Sequence, residues 1–337
     1  MITAAYLPVA VIGAGLSGLS CAHRLLDAGY TVHLFDKSRG PAGRMSTRRA
    51  KDTAGSWQCD HGAQYFTARD PAFRAEVARW EAAGVASLWD ARLTSFDGNT
   101  WSAPTTPLER FVGTPRMTSP AGWLASRLGE SGTLRVQTTV QRLEHSAKGW
   151  KIESAEHGLH APTYGAVVLA VPAPQAVQLL TPVSFPAVAV AQSAQMRGCW
   201  AVMLQFAAPP PLGWEGAFIN AGPLRWVARN SSKPRRKGQE TWLLHASPEW
   251  SEAHIEDTAE SVTAALVDAF RALGGPPPLA ATAHRWRYAD TEPPLTIGFW
   301  WDETVKLGLC GDWLHGGKVE GAWLSGQAVA SRMISPR

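Results

Sequence analysis

Three glycines and one acid near the start of the chain carry its clearest chemistry. Gly13-Ala-Gly-Leu-Ser-Gly18 directly follows the apolar run Pro8–Ile12, and Asp36 stands 18 residues after the last glycine. In a strand–turn–helix setting each glycine has a separate task. Gly13 permits the tight turn, Gly15 lets a pyrophosphate approach the backbone, and Gly18 lets helix and strand pack closely. A helix opening at Leu16 and Ser17 offers free N–H groups and positive potential to phosphate. Asp36 accepts hydrogen bonds from an adenosine ribose, and its charge disfavours a 2′-phosphate. The pattern therefore fits FAD or NAD better than NADP.

These residues need elements to hold them. Pro8–Ile12 reads as a buried parallel strand, Leu19 to Leu26 continue at helical spacing, and Gly29 stops that helix. Thr31–Phe35 is a second strand. Further along, residues 139–143 and 150–152 read as a hairpin, and 166–171 as a buried strand stopped by Pro172 and Pro174. Residues 199–206, 224–229, 241–246 and 283–288 read as strands of a separate sheet, and 258–273 as an amphipathic helix. Leu307–Leu309 is a short strand ahead of Gly311, and a last helix runs through Ala328, Val329 and Met333.

Composition limits the alternatives. The chain has 337 residues, 45% hydrophobic and 18% charged, which excludes a disordered chain, a collagen-like repeat or a disulfide-stapled miniprotein. A net charge of +4 is a mild lean toward anionic partners. The densest basic run, Lys233 to Lys237, reads as a solvated turn, and no nucleic-acid-binding patch is expected. Cys21, Cys59, Cys199 and Cys310 form no CxxC pair and no metal-like spacing, so they read as reduced thiols of a cytoplasmic protein without a metal. Residues 1–22 are uncharged but lack a basic n-region, and no segment suits a membrane span. The 16 tryptophans read mostly as packing.

Lys37-Ser-Arg39-Gly-Pro-Ala-Gly43-Arg44-Met45 resembles the loop that closes over the FAD pyrophosphate in the flavin amine oxidase superfamily. The usual form ends in Gly-Gly-Arg. Here Ala42 replaces the first glycine, which requires an ordinary negative φ at that position. The whole chain resembles the bacterial renalase-like branch of that superfamily. The likeness rests on Leu34–Gly40, Gly62–Asp70, Ala228–Pro234, His284-Arg-Trp286 and Val319–Gly326. It implies an α/β fold: a Rossmann-type FAD-binding domain joined to an α+β substrate domain on a mostly antiparallel, amine-oxidase-like sheet. The expected division is 1–80, 119–171 and 295–337 for FAD, with 81–118 and 172–294 for substrate. Gly62, Ala63 and Gln64 would pass the isoalloxazine, with Tyr65 near its edge. Val140 would meet adenine, Gly311 and Asp312 the ribityl chain, and Glu320, Gly321 and Ala322 the pyrimidine end. Arg44 would neutralise pyrophosphate, with Lys37, Arg39 and Met45 nearby.

The same resemblance implies a noncovalent FAD oxidase of dihydronicotinamides, the isomers of NAD(P)H. Hydride would pass to flavin N5, and electrons would then go to O2 to give H2O2. Such a substrate needs a flat apolar slot with its donor carbon about 3–3.5 Å from N5. It needs no strong base, because the ring becomes aromatic as hydride leaves. Monoamine-oxidase relatives carry a lysine on a strand of the substrate domain. Gly198–Phe206 has none, and Trp200 stands in its place. Amine oxidation, a desaturase-like dehydrogenation and a non-catalytic flavin-binding role remain the alternatives. Gln64, Arg229, Asn230, His245, Trp286 and Trp323 are the candidates for holding substrate. Each also has a plain packing or turn reading.

Overall fold

The computed structural model describes residues 7–52, 55–103, 108–181 and 183–335. Its first sheet centres on Val9–Ile12, paired in parallel with Val32–Phe35 on one side and Ala166–Leu169 on the other. Gly132–Arg135 and Leu307–Leu309 extend it in parallel, and Trp300–Asp302 closes one edge antiparallel. The two central strands VAVI and AVVL are buried throughout, as expected of parallel strands covered on both faces. Alternate residues face opposite layers. Val9, Val11, Leu34 and Val168 pack toward the helices Leu16–Asp27 and Lys318–Ile334. Ala10, Ile12, Phe35 and Leu169 pack toward the hairpin Val140–Ser146/Gly149–Ser154 and the helices Ala173–Leu180 and Phe185–Gln192. The two helices of the first layer touch at Gly326, where a Cβ would lie 2.1 Å from the Ser17 carbonyl oxygen.

The second sheet has seven strands in the order Ala280–Thr291, Met196–Phe206, Glu240–Ala246, Leu224–Arg229, Gly216–Ile219, Leu93–Phe96 and Trp101–Ser102. All its pairings are antiparallel except Gly216–Ile219 with Leu93–Phe96. Its outer face is covered by the helix Ala259–Ala272. That helix is capped by the Thr258 side chain and presents Val262, Leu266 and Phe270 at four-residue spacing. The inner face meets the hairpin Thr47–Asp52/Gly55–Asp60 through Ala201, Met203 and Leu243 against Trp57 and Cys59. This hairpin, unexpected from its polar strand TRRAKD, delivers residues 60–66 to the sheet.

Two expectations are corrected. Lys233–Lys237 is only half a solvated turn: Arg235 and Lys237 are exposed, but Lys233 and Arg236 have almost no side-chain exposure, because both close on the buried Asp60. Trp200 does not face the hairpin. Strand alternation sends it outward with Val202 and Leu204, so Cys199, Ala201 and Met203 hold the inner positions. No helix among the described residues is long and apolar enough to cross a membrane. The four cysteines are buried and free.

Candidate functional site

The glycine turn performs three separable tasks. Gly13 has φ +106°, and a Cβ there would lie 2.4 Å from the Ala170 carbonyl oxygen. At Gly18 a Cβ would lie 1.9 Å from the Gly13 carbonyl oxygen, so only glycine lets the helix dock this close. At Gly15 nothing lies within 4 Å, leaving that backbone open. Gly15 is also the N-cap of Leu16–Asp27, with no side chain capping the first N–H groups. Leu16 and Ser17 form the buried first turn. An open glycine beneath uncapped amides fits a dinucleotide pyrophosphate. The Asp36 carboxylate braces the turn, accepting from the Ala14 and Ser38 amides at 2.8 Å each.

The loop after Asp36 folds onto this turn. The Ala42 amide donates to the Ala14 carbonyl at 3.0 Å, and a Cβ on Gly43 would approach the Gly15 Cα at 3.4 Å. Ala42 does not have the ordinary negative φ expected of it. It sits at +117°, where an L residue is strained and the usual glycine is not. Arg44 forms an ion pair with Asp312, whose second oxygen accepts at 3.0 Å, and donates to the Ala289 carbonyl at 3.0 Å. Its own carbonyl accepts from Ala63 at 2.9 Å and would be 2.0 Å from a Cβ on Gly62. Segments near 44, 62, 289 and 312 thus meet at one place. Met45 is buried there, Val140 is half-buried at its strand start, and Lys37 and Arg39 are exposed. The Gly311 amide donates to the Ser325 hydroxyl at 3.0 Å. Glu320 spends a carboxylate oxygen on the Arg69 and Asp70 amides, at 2.6 and 2.7 Å. Gly321 packs against the His315 carbonyl, and Ala322 is half-buried beside it.

Residues 11–80 match the NAD(P)-binding Rossmann-like domain, and residues 108–334 match the flavin containing amine oxidoreductase family. The second match spans about two thirds of the chain. The chain belongs to the flavin containing amine oxidoreductases. Its fold is shared at low identity by several solved flavoenzymes. One is a provisionally named protoporphyrinogen oxidase from Exiguobacterium sp. 255-15, with TM-score 0.74 and 11% identity, covering 97% of this chain and 98% of that one. A putrescine oxidase variant gives 0.71 and 13%, covering 98% and 99%. Cyclohexylamine oxidase from Brevibacterium oxydans IH-35A gives 0.70 and 12%, with the same coverage. An FAD-dependent oxidoreductase with a Rossmann-like domain and a second, amine-oxidase-like layer accounts for the cradle and the convergent loop together.

In this flavin amine oxidoreductase the second sheet reaches residues 60–66 through imidazoles and indoles. The His61 carbonyl accepts from Trp286 Nε1 at 2.8 Å and from His245 Nε2 at 3.2 Å. The His61 ring stacks on Trp286 with centroids 5.1 Å apart and meets His284 edge-on at 4.6 Å. Burial, then the neighbouring His284 and Arg48, pushes His61 down to about 3. Burial pushes His245 down to about 4 against its bond to the His61 carbonyl, and burial also lowers His284. All three rings are neutral near pH 7. Tyr65 faces Trp226 at 5.7 Å.

The remaining candidates are committed elsewhere. Gln64 donates to the Asp60 and Gly62 carbonyls and accepts from Lys233 at 3.2 Å. Asn230 accepts from the Asp60 amide and donates to Gln58 and Thr241. Arg229 grips Glu240 with two nitrogens, at 2.8 and 3.0 Å. These three shape the 58–64 segment and the turn after residue 229, and both amide NH2 groups are fully used. Trp323 lies in the first core against Phe73 at 5.6 Å. Sequence reasoning missed the triad beneath them. Asp60 Oδ2 accepts from Lys233 at 3.0 Å and from Arg236 at 2.6 Å. Burial alone would raise the Asp60 carboxyl, but the two cations hold it well below the carboxylate range. Burial lowers Lys233, with Asp60 opposing it. The only sequence signal was an acid, Asp60, at the head of the Gly62–Gln64 segment.

Proposed function

We propose that this chain holds FAD without a covalent bond and oxidises a dihydronicotinamide, with O2 as the final acceptor. FAD, when bound, supplies a two-electron acceptor at N5. Gly15, the Leu16 helix N-terminus and Arg44 take the pyrophosphate in this reading, and Asp36 the adenosine ribose. Asp312 takes the ribityl chain, and Gly62 and Ala63 lie along the ring. The reading assigns residues 1–80, 119–171 and 295–337 to the FAD unit and 81–118 with 172–294 to the substrate unit; each sheet draws its strands from one of those sets, but the helices Ala173–Leu180 and Phe185–Gln192 pack on the first sheet and so move the structural boundary past residue 192. Residues 1–6, 53–54, 104–107, 182 and 336–337 lie outside the described residues.

One observation carries the substrate reading. The groups that the strands of the second sheet bring against residues 61–65 are neutral rings, His245, His284, Trp286 and Trp226, and the Lys233 charge that reaches Gln64 from a turn of that sheet is paired with Asp60. Neutral flat walls exclude water and orient a ring whose hydride departs without a base. His245 and Trp286 share the His61 carbonyl and so fix the entrance to Gly62. Burial of all four thiols, with Cys199 and Cys310 pushed up to about 12, supports a noncovalent flavin. Amine oxidation is the second reading, favoured by the family match and by the likeness to putrescine and cyclohexylamine oxidases.

Anaerobic stopped-flow mixing separates the two. Borohydride-generated dihydro isomers of NAD should bleach the bound flavin within seconds, and putrescine or cyclohexylamine should not. Bleaching by an amine and by no isomer reverses the assignment. Acid precipitation should leave the flavin in the supernatant, and flavin retained in the pellet would disprove noncovalent binding.

A further inference from the structure

We propose that Arg110, framed by Tyr65, Phe218 and Trp226, receives an anionic group, phosphate or carboxylate, of the substrate. Phe66 and Phe111 form an antiparallel bridge, exchanging amide–carbonyl bonds of 2.8 Å each way, and both rings are buried. The pleat of that bridge turns their neighbours, Tyr65 and Arg110, to the opposite side. There the Arg110 guanidinium lies 5.3 Å from the Tyr65 ring and 6.0 Å from the Phe218 ring. Trp226 completes the group, 4.7 Å from Phe218 and 5.7 Å from Tyr65. Tyr65, Phe218 and Arg110 are half-buried, so the cluster reaches the surface beside residues 61–65.

Two donors in this cluster lack acceptors. Arg110 Nε and Trp226 Nε1 are both buried with no hydrogen-bond partner, and Trp226 as a whole is 5% exposed. A buried N–H without an acceptor is costly enough to need a reason. Arg110 also differs from four arginines nearby that are held by carboxylates, although Arg48 beside His61 likewise has no carboxylate partner among the described residues. Arg44 pairs with Asp312, Arg229 with Glu240, Arg236 with Asp60 and Arg197 with Asp290. Among the described residues no carboxylate stands within ion-pair distance of Arg110, whose Nη1 donates only to the Leu108 carbonyl at 3.1 Å. An unpaired guanidinium and a free indole N–H beside aromatic faces suit a flat substrate with a negative group. The same charge repels an ammonium, which selects against amines. The inference rests on the dihydronicotinamide reading, whose substrates carry phosphates.

The test compares two substrates on the holoenzyme: a dihydro isomer of NAD, which carries a pyrophosphate, and an N-methyl dihydronicotinamide, which has no negative charge. The readout is the ratio of kcat/KM for the charged over the uncharged substrate. Arg110→Gln should lower that ratio about 10- to 100-fold. Arg110→Lys should restore part of it, and Trp226→Phe should lower it less. Flavin content of each variant reports its folding. An unchanged ratio in both Arg110 variants overturns the proposal while leaving the dihydronicotinamide reading intact. Should neither substrate reduce the flavin, that reading falls, and calorimetry with inorganic pyrophosphate decides Arg110 alone. Binding that disappears in Arg110→Gln supports the assignment, and binding that is absent or unaltered overturns it.

Discussion

The glycine cradle at residues 13–18 and the inner face of the second sheet solve different problems. In the cradle the backbone does the work, and each position is defined by what a Cβ would strike or leave open. On the inner face side chains do the work, and each is defined by a partner far away in sequence. Lys233 meets Asp60 across 173 residues, and Trp286 meets His61 across 225. A backbone site tolerates almost no substitution but is written locally. A side-chain site is written nowhere in particular and depends on strand register.

Four outcomes would sharpen or break that contrast. Gly18→Val should have the largest effect, because its Cβ meets the Gly13 carbonyl and cannot be accommodated. The variant should yield no soluble yellow protein, and a normal flavin spectrum would show that the cradle is not rigid. Lys233→Met should come next, costing about 3 kcal/mol by leaving buried Asp60 with one cation. Denaturant unfolding measures it, and a loss below about 0.5 kcal/mol would make the triad dispensable.

The third outcome concerns pH. His245 and His61 have folded values well below the ordinary 6.5, so the unfolded chain binds protons first. Their contribution to stability is complete above 6.5 and is lost as pH falls through about 4 and 3 respectively. Asp60 adds a further loss below the usual carboxylate range. The midpoint of thermal unfolding should therefore fall steadily from pH 6.5 to 4, and His245→Gln should flatten that slope. An equally steep slope in the variant would place the titration elsewhere. The smallest effect is a gain. Ala42→Gly should stabilise the protein by about 1 kcal/mol, since glycine tolerates φ +117°. A loss of stability would mean that the alanine methyl has packing value exceeding its strain.

The same contrast explains what was legible in the sequence. Gly13, Gly15, Gly18 and Asp36 could be read from spacing alone, because the strand–turn–helix that uses them is contiguous. The strands and the long helix at 259–272 followed from apolar periodicity. The hairpin 47–60 did not, because its first strand carries Arg48, Arg49 and Lys51 and is held by its partner rather than by burial. Lys233 and Arg236 looked solvated, since a run of four basic residues around Pro234 resembles any surface turn. Their burial depends on an acid brought in by that unread hairpin. Gln64 and Asn230 carry amides that could face a ligand, yet amides serve equally well to satisfy backbone groups, and sequence does not distinguish the two. Trp323 sits at helical spacing facing a core, and its type alone suggested more.

The ion pair between Arg44 and Asp312 joins residues 268 apart, and Gly326 seats the last helix on Ser17. On a ribosome adding about 5–20 residues per second, Arg44 emerges roughly 13 to 54 s before its partner exists. Throughout that interval the first helix can lean on its strands and on the helix Ser119–Ser126, but the face that Gly326 will meet is bare. The nascent chain must therefore wait with that apolar flank uncovered, a natural client for a chaperone, until Asp312 and the helix Lys318–Ile334 arrive as the latch that ends the wait.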